Sequence, residues 1–191
     1  AGSSLTFFAG RNELKTEKFW FVEDIISKKN SPYNSESKLL EKLEVILLEA
    51  LELQFRSDVP VGLLLSGGVD SSLIVALASQ IKNNLDTYTV RFPGYKKFDE
   101  SYHAQLIAKH FHTNHTEIEA ASVDPEIFDE LATFYDEPIF DTSMVPTFLL
   151  SKLISKHCKV AIGGDGGDEL FGGYPHYDKL LRIRNHTKYV P

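Results

Sequence analysis

Hydrophobic and polar positions fall into blocks along the chain, and the blocks change period. Between Ser35 and Ser57 apolar residues recur three and four apart: Leu39, Leu43, Ile46, Ala50 and Leu53, with Leu40, Leu47 and Leu51 widening the stripe. That spacing predicts a helix of about twenty residues lying on a sheet. Asn34 or Ser35 can cap it, and Glu36 sits in its first turn. After Asp58-Val59-Pro60 the pattern becomes a continuous apolar run, Val61 to Leu65, as expected of a strand buried on both faces. Residues 71–81 then read as helix, 87–92 as strand and 99–111 as helix, with Tyr102, Leu106 and Ala108 to Phe111 turned inward. Residues 115–119 read as strand, 124–135 and 145–157 as helices, and 159–162 as another buried strand. This alternation predicts an α/β fold: a parallel twisted sheet with helices on both faces and right-handed crossovers.

The first 34 residues have a different pattern. Two aromatic runs, Phe7-Phe8 and Phe19-Trp20-Phe21, flank a polar turn and predict a small hairpin. Such a piece makes no core of its own and must pack on something else. Lys28 to Ser35 reads as loop. The expected organisation is therefore a connector and hairpin segment over 1–34 and one α/β domain over 35–191.

Composition narrows the classes. The length of 191 residues suits one domain with an appendage. Twenty basic against 27 acidic residues give a net charge of -7, without the basic excess of a nucleic-acid binder. The single cysteine, Cys158, excludes an internal disulfide and a cysteine-only metal site. Its setting suits a small buried apolar residue better than a nucleophile. No apolar run approaches the ~20 residues that cross a bilayer. The N-terminus lacks the cationic start and apolar stretch of a signal peptide. A cytoplasmic protein, with neither nucleic acid nor membrane as partner, is the expectation.

The candidate chemistry sits in two glycine-rich turns, each following a predicted strand. In an open parallel sheet, ligands bind beyond the carboxyl ends of the strands, so both turns can close on one ligand. In the first, Ser66-Gly67-Gly68-Val69-Asp70-Ser71-Ser72, the glycines free the backbone to aim N–H groups at one point. The helix that starts near Asp70 or Ser71 adds unpaired N–H groups and a dipole favouring an anion. Ser66, Ser71 and Ser72 add hydroxyls, making a polyphosphate cradle. It is not the common phosphate loop, since no Gly-Lys pair exists in the chain. Asp70 would repel a bare phosphate, but it makes sense if it holds Mg²⁺. The second turn, Gly163 to Tyr174, has six glycines and the acids Asp165, Asp168 and Glu169 within twelve residues. Crowded acids need a cation or a positive substrate group, and the spacing does not match a calcium loop of the EF-hand type.

These residues resemble the synthetase domain of the glutamine-dependent asparagine synthetase family, which has an N-type ATP pyrophosphatase fold (adenine nucleotide alpha hydrolase-like). Leu63 to Ser72 is similar to the family's pyrophosphate loop and Gly163 to Tyr174 to its second signature. The stretch from Tyr88 to Ile118 and the Asp136-Glu137-Pro138 segment are similar to the sequence between them. The resemblance covers about residues 36–177 in the right order.

The resemblance implies that Ser66, Gly67, Gly68, Asp70, Ser71 and Ser72 form a pyrophosphate loop for ATP. It implies that Leu65, Val90, Gly163 and Gly164 line the adenosine site, and that Asp70 and Asp168 hold Mg²⁺. Asp165 and Asp168 are the matching catalytic positions, although Asp165 stands where some members have glutamate, and Gly163 where many have serine. Asp99 and Glu100 are either substrate-side groups or an exposed helix start.

The implied reaction adenylates a carboxylate, typically the side chain of aspartate, with release of pyrophosphate. Ammonia drawn from glutamine then displaces AMP to give an amide. A glutaminase domain, in cis or in trans, is the implied partner, and self-association is compatible with it. Two departures make an excised piece of a longer protein the expectation. It begins Ala-Gly-Ser-Ser rather than with the family's nucleophilic cysteine, and the family's catalytic lysine is expected beyond Pro191, with neither Lys179 nor Lys188 matching it. Relatives with the same loop activate other carboxylates, and a non-catalytic nucleotide-binding module is the reading from another class. Modification of tRNA finds no support in the charge balance.

Overall fold

A computed structural model describes residues 2–21, 24, 35–91, 99–120, 125–135, 141 and 143–187. The Asp136-Glu137-Pro138 segment and Lys188 lie outside the described residues. The chain forms two compact units, Ala1–Leu43 and Glu44–Pro191.

In the first unit, β1 (Ser3–Phe8) and β2 (Glu13–Lys18) form an antiparallel hairpin, in register from Ser3 opposite Lys18 to Phe8 opposite Glu13. The connection is tight: Arg11 N–H donates to the Phe8 carbonyl at 3.0 Å and Asn12 takes a left-handed φ of 48°. That turn fixes the register, so β2 ends opposite Ser3 and the run from Phe19 to Phe21 falls just beyond it. There Phe19 and Trp20 donate their N–H groups to the Gly2 carbonyl, and the Lys18 ammonium lies 4.1 Å from the Phe21 ring centre. Leu5, Phe7, Leu14 and Trp20 are all exposed.

The second unit contains the end of α1 (Glu36–Gln54), followed by β3 (Val61–Leu64), α2 (Val69–Ile81), β4 (Asp86–Arg91), α3 (Ser101–His110) and β5 (Asn114–Glu119). Next come α4 (Ile127–Phe134), α5 (Met144–Ile154), β6 (Val160–Ile162), α6 (Gly167–Phe171) and α7 (Pro175–Thr187). The four strands β5-β4-β3-β6 form one sheet in that order, and every pair is parallel. From β3 the chain moves outward through β4 to β5, then returns to the other side of β3 as β6. The order therefore reverses between β3 and β6, which opens a crevice at their carboxyl ends.

Side chains of β3 alternate between two cores. Val61, Leu63 and Leu65 enter the main one with Leu51 of α1, Val75 and Ala78 of α2, and Ala104 and Ala108 of α3. Leu64 faces the other side, with Val90 and Ile118 of the neighbouring strands and Leu150 and Ile154 of α5. Both faces of the sheet are thus covered, as the continuous apolar run predicts.

Two helix faces differ from the expectation. In α1, Leu47, Leu48 and Leu51 meet the core, joined by Phe55 just past its end, whereas Leu39, Ile46 and Leu53 of the expected stripe are exposed. The helix is apolar around most of its girth, so periodicity alone does not choose a seam; the sheet does. In α3, Tyr102 and Leu106 are exposed, and the seam is Ala104, Ile107, Ala108 and Phe111. Small alanines let this helix lie close to the strands, which pattern reading weighted toward large residues does not anticipate. Helix α5 stops at Ile154, where His157 and Cys158 both donate back to the Ile154 carbonyl. Among the described residues no helix is long and apolar enough to cross a membrane.

Candidate nucleotide site at the strand-order reversal

Both glycine turns lie at the reversal point, one after β3 and one after β6. They meet. A Cβ on Gly164 would stand 2.9 Å from the Asp70 Cβ and 2.9 Å from the Ser71 nitrogen. A Cβ on Gly167 would stand 2.8 Å from the Asp70 carboxyl carbon. Glycine at these two positions lets the second loop lie on the first turn of α2, with the Asp70 side chain between them. Each loop begins where its strand ends, and β3 and β6 are direct neighbours paired Val61 to Val160.

The first loop braces itself. Ser66 N–H donates to Ser71 Oγ at 3.3 Å, Gly68 N–H donates to Ser66 Oγ at 3.2 Å, and Ser71 O–H reaches the Gly68 carbonyl at 3.2 Å. The two hydroxyls lie 3.0 Å apart. The sequence presents these serines as phosphate donors; in the structure their hydroxyls close the loop. Gly67 takes a φ of +88°, which only glycine adopts without strain. Helix α2 begins at Val69, with no side-chain cap from Gly68, so an anion is well placed to accept from its first N–H groups.

A cavity of about 420 Å³ opens between the loops. Ser66, Asp70, Ser71, Gly163, Gly164, Asp165 and Asp168 of the expected site line it. Leu65 does not: its side chain is buried in the main core, and its backbone pairs with β4 through its N–H to the Tyr88 carbonyl and its carbonyl to the Thr89 hydroxyl. Leu64 lines the cavity instead, with Leu150 of α5. Val90 packs beside both of them rather than on the cavity itself. Gly67, Gly68 and Ser72 are not among its lining residues. Asp99 and Glu100 form the start of α3: Asp99 accepts the Ser101 N–H at 3.1 Å and approaches the Arg91 Nε at 3.9 Å. Those Ser101 hydrogen bonds, and then Arg91, hold the Asp99 carboxyl below its usual range.

Glu169 and Tyr174 also line the cavity. The Tyr174 hydroxyl donates to Glu169 Oε1 at 2.6 Å, which pushes the tyrosine up to about 12 and holds the carboxylate down. Among the described residues the lining thus includes four carboxylates, Asp70, Asp165, Asp168 and Glu169, and no lysine or arginine. Among the described residues no three such groups cluster tightly enough to enclose a metal. Carboxylates of the kind lining the cavity are ligands that Mg²⁺ takes one or two at a time, with water and substrate phosphates completing its shell. Asp70 and Asp168 both line the cavity, each on a different loop.

The Asn_synthase family model, described as asparagine synthase, matches residues 42–191. The chain belongs to the asparagine synthase family. A putative glutamine-hydrolysing asparagine synthetase 2 of Methanocaldococcus jannaschii is 34% identical over 177 residues, 91% of this chain and 33% of the relative. Glutamine-hydrolysing asparagine synthetase 1 of Bacillus subtilis is 32% identical over 151 residues, 78% of this chain and 24% of the relative. The chain therefore spans a third or less of these relatives. A solved glutamine-dependent NAD+ synthetase of Acinetobacter baumannii, in complex with ADP, aligns over 89% of this chain and 31% of its own at 18% identity, with a TM-score of 0.46. The asparagine synthase match includes both glycine loops and every strand of the parallel sheet.

Leu64, Leu150 and Tyr174 are the lining residues that sequence reasoning missed. The first could be found only by knowing which face of β3 looks toward α5, the second only by knowing how α5 docks. Tyr174 closes the second signature but carries no motif of its own.

Proposed function

We propose that this chain is the ATP-binding core of a glutamine-dependent amide synthetase, with aspartate as the carboxylate substrate and asparagine as the product. The observation that carries the reading is the meeting of the two loops on Asp70 around one carboxylate-lined cavity. Family membership and the names of the relatives support it. ATP lies with its phosphates toward the first turn of α2 and its adenosine toward Leu64, Val90 and Gly163. An oxygen of the substrate carboxylate attacks the α-phosphorus, and pyrophosphate leaves as its P–O bond breaks, so that AMP is joined through that oxygen to the carboxyl carbon. Ammonia then attacks that carbon and AMP departs.

Charge builds on the departing pyrophosphate, so N–H groups already fixed at the α2 start lower the barrier without reorganising. Mg²⁺ held by Asp70 and Asp168 would supply charge neutralisation on the phosphates. Asp165 sits beside the adenylated carboxyl, and the fixed loops hold the reacting groups together. The glutaminase activity belongs to a partner domain that delivers ammonia.

Calorimetry tests the site. Asp70→Asn weakens Mg²⁺-dependent ATP binding far more than metal-free AMP binding. Equal effects on both ligands, or a folded protein that binds neither, would overturn the reading. Pyrophosphate release against a panel of carboxylates, aspartate among them, tests the substrate.

A further inference from the structure

The cradle has a neighbour that the phosphate-loop pattern does not include. A Cβ on Gly67 would stand 2.7 Å from the His103 Cβ and 2.7 Å from the Ala104 nitrogen. The first turn of α3 is therefore pressed against the loop, and His103 leaves that helix at the loop itself. Two fastenings hold it there. Ala104 is fully buried in the main core, which fixes the rotation of α3, and Asp99 ties the helix start to Ser101 N–H and to Arg91 at the end of β4. The His103 ring is exposed. It meets the Tyr102 ring edge-on at 5.6 Å and has no hydrogen-bond partner among the described residues. By contrast His115, in β5, has its Nδ1 engaged with the Thr87 hydroxyl at 2.9 Å.

The departing pyrophosphate needs hydrogen-bond donors, and the Ser66 and Ser71 hydroxyls are engaged within the loop. Ser66 and Ser71 face each other and the loop backbone. Among the described residues, none that lines the cavity is a lysine or arginine. An imidazole carries at least one N–H donor in either protonation state. We propose that His103 is a pyrophosphate-binding residue, donating a ring N–H to the β- or γ-phosphate oxygens of ATP held over Gly67 and to pyrophosphate as it leaves. This rests on the nucleotide-site reading above and extends it to a residue outside both signatures.

The test is calorimetric titration of the purified protein with AMP, with Mg²⁺–ATP and with Mg²⁺–pyrophosphate. His103→Ala retains the Cβ, the atom packed on Gly67, and removes only the ring. It weakens ATP and pyrophosphate binding by about ten-fold, the scale of a hydrogen bond to a charged group, and leaves AMP binding unchanged. His103→Gln, which keeps a donor, recovers part of that loss. Unchanged pyrophosphate affinity in the alanine variant would overturn the inference, as would equal losses for AMP and pyrophosphate, which would mean a displaced loop rather than a lost contact. Wild-type protein that is folded and binds none of the three ligands would overturn the nucleotide site itself, a distinct outcome.

Discussion

Gly164→Ala tests how closely the two loops meet. The new Cβ would lie 2.9 Å from the Ser71 nitrogen and 2.9 Å from the Asp70 Cβ, whereas ordinary contact begins at 3.4 Å. The second loop must therefore withdraw by about half an ångström, because backbone and a Cβ cannot rotate away. Overpacking of this kind costs about 1–3 kcal/mol. Part of that appears as lower stability in urea and part as a displaced Asp70, hence as weaker Mg²⁺–ATP binding.

Gly68→Ala is the control. Gly68 has φ -69° and ψ 166°, ordinary for any residue, and its nearest neighbour is the Ser66 hydroxyl at 3.3 Å, a contact relieved by a shift of about a tenth of an ångström. Its stability stays within about 0.5 kcal/mol of the parent, as for a surface change. Urea midpoints at constant slope give the stabilities, and calorimetry the affinities. A Gly164→Ala protein with wild-type midpoint and wild-type ATP affinity would refute the close approach of the loops.

Two further outcomes follow from burial. Leu51→Ala, at a position 2% exposed, costs about 2–5 kcal/mol, while Leu53→Ala, 60% exposed on the same helix, costs about 0.5 or less; paired urea unfolding checks the seam of α1. His115 is held below its ordinary value of 6.5 by burial, against a smaller upward pull from Glu117. The unfolded chain thus takes up this proton first as pH falls. Stability is complete above about 6.5 and declines below it, down to the folded-state value. His115→Asn removes that step from a plot of unfolding free energy against pH, and an unaltered step would show that another group causes it.

The parts of the site that depend on backbone freedom were legible in the sequence, because glycine has few other reasons to cluster after a buried strand. Gly67, Gly164 and Gly167 each sit where a side chain would strike a neighbour. The strand alternation was legible for a similar reason: a run such as Val61 to Leu65 has no polar face, so it must be covered on both sides. What the pattern did not contain was orientation. Leu64 and Leu65 are the same residue type, adjacent, and differ only in the face they take, so the cavity wall was assigned to the wrong neighbour. The seam of α1 failed likewise, since leucines on most of its girth satisfy several rotations. His103 lies 36 positions from Gly67, and only the docking of α3 brings them together.

Strand β6 has three residues and a single neighbour among the described strands, β3. Yet it carries half of the cavity, since the second loop grows from its end. A ligand gripped by both loops would therefore bridge segments about a hundred positions apart in the chain and act as a non-covalent clasp on the shortest strand of the sheet. By mass action, a nucleotide at one hundred times its dissociation constant would add about 2.7 kcal/mol to the free energy of unfolding. Amide exchange at Val160 to Ile162 would slow with it. In the absence of nucleotide the amides of this three-residue edge strand would exchange before those of β4, which is paired on both sides.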